Sequence, residues 1–253
     1  MSNDTLMSQC KSLVSRPYIE KVNKKILFLS IPRSGSTFLC DILTQHGGLG
    51  FPDEWLNPRF LEVFSKKVKP LTTPEALSKY CEFVMHKSAT ENGCFSLNMH
   101  VSSHLWWLTQ GVNWIDEIAF DHIYFIYRED KYAQTYSWAI ANKSLEWRKT
   151  SEGGKRQLPK DITFEFMFQL FGQLLRIEWN YETQIKPQVH RELKYEDFCQ
   201  NIKGTVEQIC NDAGVAFDPD RVRESKYKIQ RTDYDQEMLA KFRAFMRSKL
   251  VNI

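Results

Sequence analysis

Five consecutive residues, Arg33, Ser34, Gly35, Ser36 and Thr37, place a guanidinium, three hydroxyls and a glycine between one apolar run and another. That composition suits the binding of a tetrahedral anion. A planar guanidinium can clamp such an anion through two parallel hydrogen bonds, where an ammonium acts as a point charge. Small residues let backbone amides approach it, and the positive end of a following helix adds to the attraction. The elements that must position this loop are legible on either side. Ile26 to Ile31 is short, apolar and rich in β-formers, the pattern of a strand buried on both faces of a parallel sheet. Pro32 stops the ladder because it has no amide hydrogen. Phe38, Leu39, Ile42 and Leu43 then recur at helical spacing, and the helix predicted from Ser36 to about Gln45 ends at Gly47-Gly48, where glycine suits a left-handed cap.

The loop lacks the spacing of a nucleoside-triphosphate loop, Gly-x-x-x-x-Gly-Lys-Ser/Thr, since both the first glycine and the lysine are missing. Arg33 supplies the cation from the N-terminal side of the glycine. On the loop alone, an ordinary Ser-capped helix following a strand is the competing reading.

Further candidates lie where other strands should end. His122 to Tyr127 is aromatic and β-branched, so Arg128 emerges at the carboxyl end of a strand, where open α/β sheets bind ligands. Asp130 is a good N-cap for the helix that follows. Ser137 falls two turns into that helix, so it and Arg128 reach one phosphate only if the helix packs back across the strand tip. Cys94 to Val101 alternates as a strand, placing Asn98 and His100 on one face. Gly50 to Pro58 is a loop between prolines and aromatics that carries Asp53 and Glu54 in its middle. For Glu54 a solvated loop acid, and for His100 a satisfied strand histidine, are the plainer readings.

Pro-Arg-Ser-Gly-Ser-Thr-Phe-Leu-Cys from Pro32, followed by Gly50-Phe51-Pro52-Asp53-Glu54-Trp55, resembles the bacterial trehalose 2-sulfotransferase family. A second block, Tyr127-Arg128-Glu129-Asp130-Lys131-Tyr132-Ala133-Gln134-Thr135-Tyr136-Ser137-Trp138, matches that family's Arg-x-Asp-Lys-x-x-Gln-x-x-Ser pattern. Weaker echoes stand at Lys194 to Phe198 and at Lys228 to Asp233, so the similarity runs in order from about Lys25 to Arg243. The resemblance implies 3'-phosphoadenosine 5'-phosphosulfate (PAPS) as sulfuryl donor, Glu54 as general base, and Arg128 with Ser137 at the donor's 3'-phosphate. It also exposes a departure. Asn98 stands where the family commonly has lysine, and His100 is the candidate for the missing charge. Arg231, in the second of these echoes, reads more simply as a surface ion pair.

The chain's 253 residues, 42% of them hydrophobic, can bury a full core as one domain, expected over residues 25–253 after a polar lead-in over residues 1–24 that is helical in part around Leu6 to Val14. A formal charge of +3 with dispersed basic residues argues against nucleic acid as a partner. The six cysteines show no Cys-x-x-Cys spacing, so no metal site is expected. No stretch reaches the roughly 20 apolar residues of a membrane span, and a cytoplasmic location with free thiols is the expectation.

Elsewhere the spacing predicts two helices between Phe60 and Met85, a helix from Val101 to Gly111, a long apolar helix from Ile162 to Gln184 and a last strand within Val189 to Tyr195. Residues 142–159 read either as an exposed connector or as a mobile loop that forms a lid or part of the acceptor pocket. Trp55 and Trp147, flanked by polar residues, are the tryptophans best suited to stack on a sugar. Together these readings predict a P-loop-like α/β fold, a central parallel sheet flanked by helices in three layers. The expected function is sulfuryl transfer from PAPS to a carbohydrate or glycolipid hydroxyl, with a non-catalytic or ATP-using protein on the same fold as the alternative. The resemblance and the broad apolar surface of the 162–184 helix suggest a homodimer.

Overall fold

The computed structural model describes residues 3–67, 73–144, 147, 161–225, 227 and 233–250. Four strands, β1 (Lys24–Ser30), β2 (Cys94–His100), β3 (His122–Tyr127) and β4 (Arg191–Lys194), form a sheet in the order β2-β1-β3-β4. Every neighbouring pair is parallel, which requires crossover connections, and helices supply them. In chain order these are α1 (Asn3–Ser15), α2 (Ser36–His46), α3 (Pro58–Lys67), α4 (Pro74–Ser88), α5 (Val101–Thr109) and α6 (Trp114–Ile118). After them come α7 (Lys131–Ser144), α8 (Phe164–Asn180), α9 (Tyr195–Gln200), α10 (Ile202–Ala213) and α11 (Asp233–Leu250). This is the P-loop-like α/β architecture expected from the alternation of strand and helix patterns.

Alternation along the strands divides the core into two layers. Ile26 and Phe28 of β1 with Tyr124 and Ile126 of β3 pack against α2, α9 and α10. Leu27 and Leu29 with Ile123 and Phe125 join the larger cluster formed with the other helices. Each such side chain contributes about 1.5–3 kcal/mol relative to leaving it in water. The central strand β1, buried on both faces, is thus fixed in place, and its carboxyl end carries the loop of Arg33 to Thr37.

Local departures have physical reasons. The segment that reads as a polar lead-in contains α1, whose Leu6, Cys10 and Leu13 are buried beside α3 and α4. Three apolar residues at helical spacing suffice for that seam, although the segment's composition is polar. The helix predicted through Gln184 is α-helical only to Asn180; one wider turn, Tyr181–Ile185, follows. There Tyr181 stacks on Phe125 and donates to Glu192 Oε1 at 2.7 Å. Between α9 and α10 stands Asn201, whose side chain caps α10 by accepting from Gly204 N at 3.1 Å. Most of the 142–159 stretch, and Arg231, lie outside the described residues.

Candidate functional site

After β1 the chain turns through Pro32 to Gly35 into α2. Arg33 and Gly35 both adopt positive φ, 64° and 91°. Glycine takes this conformation freely, and the site requires it: a Cβ at Gly35 would collide with the Tyr195 ring, with Cε2 2.8 Å away. For Arg33 the same conformation costs on the order of 1 kcal/mol, the kind of strain that clusters at ligand sites. Gly35 is the N-cap of α2, and no side chain caps that helix. Its first amides therefore point at the loop's concavity without a side-chain acceptor, as an anion site needs. Ser34 Oγ is buried with no hydrogen-bond partner. Ser36 and Thr37 form the first turn of α2, the former buried and the latter half-buried. The uncapped amides and the orphaned hydroxyl fit an anionic group.

Helix α7 packs against the loop that follows β1. Gln134 Nε2 donates to Pro32 O at 2.8 Å, and Arg33 Nε donates to Ser137 Oγ at 3.0 Å. A second Arg33 nitrogen donates to Trp147 O at 2.7 Å. Arg128, buried at the end of β3, has its guanidinium carbon 4.7 Å from the centroid of the Tyr195 ring and its Nε 3.8 Å from Glu196 Oε1. Glu196 also accepts from the backbone N–H groups of Glu129 and Asp130, at 3.0 and 3.2 Å, which locks the turn between β3 and α7. Tyr195 thus touches Gly35 on one side and Arg128 on the other, joining the two blocks that lie nearly a hundred positions apart. Burial pushes the nearby Cys199 thiol up, against smaller opposing effects of Tyr195 and Arg128, so it is no reactive thiolate.

A second cluster stands at the end of β2. Ser30 and His100 are paired in the sheet, and Ser30 Oγ lies 3.0 Å from His100 Nδ1 while donating to Asn98 Oδ1 at 3.1 Å. On the other side of the ring, His100 Nε2 is 3.4 Å from Glu54 Oε1. Glu54 Oε2 accepts from Asn57 Nδ2 at 2.7 Å. The loop carrying Glu54 is held through Asp53, whose carboxylate accepts from Glu54 N at 2.8 Å and from Gln9 Nε2 at 2.7 Å. Asp53 O accepts from Asn98 N at 3.1 Å, tying the loop to β2. Arg16 stacks over Phe51, its guanidinium carbon 4.4 Å from the ring centroid. Burial lowers its pKa and the charge of Asp53 partly restores it.

The structure therefore brings Arg33 to Ser137 and His100 to Glu54, and sets Arg128 against Tyr195. Trp55 corrects one expectation: it is buried, with Nε1 donating to Phe51 O at 3.1 Å, so its ring faces no sugar. Trp147, half-buried beside Arg33, keeps that position open. Ser30, Gln134 and Tyr195 were not singled out from the sequence. Gln134 lies inside the second block and Tyr195 directly follows the last strand, so the carboxyl end of each strand was the available signal.

A parallel sheet with a tight loop joining β1 to α2, and an acid and a histidine near the adjacent strand end, is a P-loop-like α/β arrangement. The Stf0 sulphotransferase family profile matches residues 26–244. The chain belongs to that family, and the chemistry of its class is transfer of a sulfuryl group to an acceptor. Solved structures that superimpose on the chain include the sulfotransferase domain from the curacin biosynthetic pathway, 17% identical with a TM-score of 0.45 over 83% of this chain and 80% of that one. The sulfotransferase domain of the Synechococcus PCC 7002 olefin synthase is 17% identical, with a TM-score of 0.46 over 91% and 98%. A sulfotransferase from Alicyclobacillus acidocaldarius is 11% identical, with a TM-score of 0.44 over 88% and 92%. A comparison with curated proteins returned no match. Among the described residues, no group of three or more His, Cys, Asp and Glu side chains could hold a metal ion, and no helix is long and apolar enough to cross a membrane.

Proposed function

We propose that the protein transfers a sulfuryl group from PAPS to a hydroxyl of a carbohydrate or glycolipid, with Glu54 as general base. The observation that carries this reading is the Ser30–His100 contact across β1 and β2, continued to Glu54. It places a carboxylate and an imidazole on the strand end next to the anion loop. When bound, PAPS supplies a sulfuryl group already attached to a phosphate leaving group. Charge in such a transfer gathers on equatorial and leaving oxygens, so the protein's task is positioning and neutralisation. Arg33, the Ser34 hydroxyl and the amides of Gly35, Ser36 and Thr37 hold the 5'-side anion. Arg128 and Ser137 hold the 3'-phosphate, as in the family pattern.

Proton bookkeeping gives His100 a role. With Ser30 donating its single proton to Asn98, Ser30 Oγ must accept from His100 Nδ1–H. The Nε2 that faces Glu54 is then either bare or protonated, and only the protonated ring attracts a carboxylate at 3.4 Å. When protonated, His100 supplies the charge that Asn98 does not. It also orients Glu54, whose other oxygen is held by Asn57, to accept the proton of the attacking hydroxyl. The acceptor class rests on the family resemblance and on Trp147 beside Arg33.

Calorimetric titration with 3',5'-adenosine bisphosphate tests the donor site. Tight binding that weakens at least about tenfold with AMP, and equally with Arg128→Ala, is expected, about 1.4 kcal/mol or more for the 3'-phosphate. Equal affinity for AMP, or competition by ATP, overturns the reading. A panel of sugars followed by mass spectrometry for sulfated product then tests the acceptor class.

A further inference from the structure

We infer that Gln9 is a positioning residue for Glu54, so that α1, ahead of the first strand, takes part in aiming the base. The inference rests on the reading of Glu54 as general base. Gln9 Nε2 donates to Asp53 Oδ2 at 2.7 Å, and the other oxygen of that carboxylate accepts from Glu54 N at 2.8 Å. Asp53 O meanwhile accepts from Asn98 N at 3.1 Å and from Trp55 N at 2.9 Å. The backbone of Asp53 is thus pinned to β2, and the bond from Gln9 restrains the rotation of its side chain. From that fixed point the Glu54 side chain reaches to 3.4 Å from His100 Nε2. Arg16, just beyond α1, clasps the same loop, its guanidinium carbon 4.4 Å from the Phe51 ring centroid and 5.4 Å from that of Trp55. The family profile match begins at residue 26, so these contacts lie outside what that match describes.

Packing does not account for a glutamine at this position. Leu6, Cys10 and Leu13 already seat α1 against α3 and α4, and Lys87 Nζ of α4 holds its end by donating to Val14 O at 3.0 Å. Gln9 Oε1 and Arg16 Nη1 are buried with no hydrogen-bond partner among the described residues. A buried polar atom left unpaired costs about 1–3 kcal/mol, so a chain selected for stability alone would favour an apolar residue beside this seam. The polar pair makes sense as a support for the loop it touches, since local rules are broken most often where function requires it. A catalytic group needs its supporting residues to hold it within about 0.5 Å, and a misplacement of about 1 Å can cost 10²-fold in rate. Gln9 acts on Glu54 through the Asp53 carboxylate and touches no reacting atom.

NMR titration of the histidine ring protons on the full chain tests the placement with no acceptor present, the His100 signal being the one lost in His100→Asn. A carboxylate beside a histidine favours the charged ring, so Glu54→Gln should move the His100 midpoint down by about one pH unit. Gln9→Ala leaves Glu54 in the chain, yet should move that midpoint down by about half as much or more. In transfer from PAPS to the sugar that the wild type sulfates, Gln9→Ala should lower kcat about 10- to 100-fold, with KM for PAPS unchanged. Gln9→Glu sets two carboxylates against each other and should slow transfer equally. Combining Gln9→Glu with Asp53→Asn reverses donor and acceptor in the same bond, and should recover most of the lost rate, which general damage to α1 would not allow. A His100 midpoint in Gln9→Ala equal to that of the wild type, or a double variant as slow as Gln9→Glu, overturns this proposal alone. Wild-type rates in Glu54→Gln overturn the base and this proposal together.

Discussion

The two ends of the sheet treat polar groups in opposite ways. Near the amino end of β3 and β4, Asp212 of α10 gathers its neighbours. It accepts from Arg191 through two bonds of 3.1 and 3.2 Å and from Tyr124 at 3.0 Å, with His190 Nε2 at 3.4 Å. That end closes on itself. At the carboxyl end, α2, α5 and α9 begin directly from strands or the Arg33–Thr37 loop without a side-chain cap, while α7 is capped there by Asp130, which accepts from Ala133 N at 3.0 Å. Away from that end, α4, α6, α8 and α10 are capped by Thr73, Asn113, Thr163 and Asn201. A helix start lacking a cap costs about 1 kcal/mol. Three of the four helix starts at the edge where open sheets bind ligands thus have no side-chain cap.

The sharpest way to test that contrast is to remove chemistry from the carboxyl end without disturbing its shape. Glu54→Gln keeps the bond to Asn57 possible while abolishing the base. Transfer to whichever sugar the wild type sulfates should fall about 10²–10⁴-fold, with the affinity for 3',5'-adenosine bisphosphate unchanged; a variant that transfers at the wild-type rate would remove Glu54 from the mechanism. Next in size is Gly35→Ala. Its φ of 91° and the Tyr195 ring against it should together cost about 1–3 kcal/mol in urea unfolding and weaken adenosine bisphosphate binding as well. Gly47→Ala is the comparator. Gly47 has φ 74°, but the nearest atom to its Cβ would be 3.9 Å away, so only the strain of about 1 kcal/mol should appear, with binding intact. Arg128→Ala follows, with binding of adenosine bisphosphate weakened about 10- to 100-fold, or 1.4–2.7 kcal/mol, and AMP unaffected.

What the sequence revealed follows the same division. The apolar run before Pro32 and the small residues after it were enough to place β1, the loop and α2, because strand burial and helix spacing are local signals. Arg128 and Ser137 stood out as candidates because one short segment carries both in the family pattern; the structure sets Ser137 against Arg33 and Arg128 against Tyr195. Glu54 meeting His100 was not legible from spacing, since the contact depends on register between strands far apart in the chain and on Asp53 pinning the loop. Tyr195 was missed for a similar reason: its role depends on a glycine 160 positions earlier that leaves room for its ring. The burial of Trp55 reverses a reading based on polar sequence neighbours, because the loop folds that side chain inward against Phe60 and onto the Phe51 carbonyl. The π turn after α8 had no sequence signal at all.

The smallest expected effect belongs to the closed end, and its smallness at the site is the point. Burial alone would push the Asp212 carboxyl up, but hydrogen bonds from Arg191 and Tyr124, and the charges of Arg191 and His190, hold it below its ordinary value. A carboxyl depressed in the folded state contributes stability that is present above its unfolded pKa, about 3.9, and that is lost as pH falls through the folded value. Asp212→Asn should therefore destabilise the protein by about 1–2 kcal/mol at pH 7, discounted for the partly exposed Arg191. The gap between wild type and variant should narrow below about pH 4, as the wild type loses the same contribution. Adenosine bisphosphate binding should stay at the wild-type level throughout the folded range. If Asp212→Asn weakened that binding as strongly as Arg128→Ala, the two ends would be energetically coupled through β3, and the division between a self-satisfied end and a ligand end would fail.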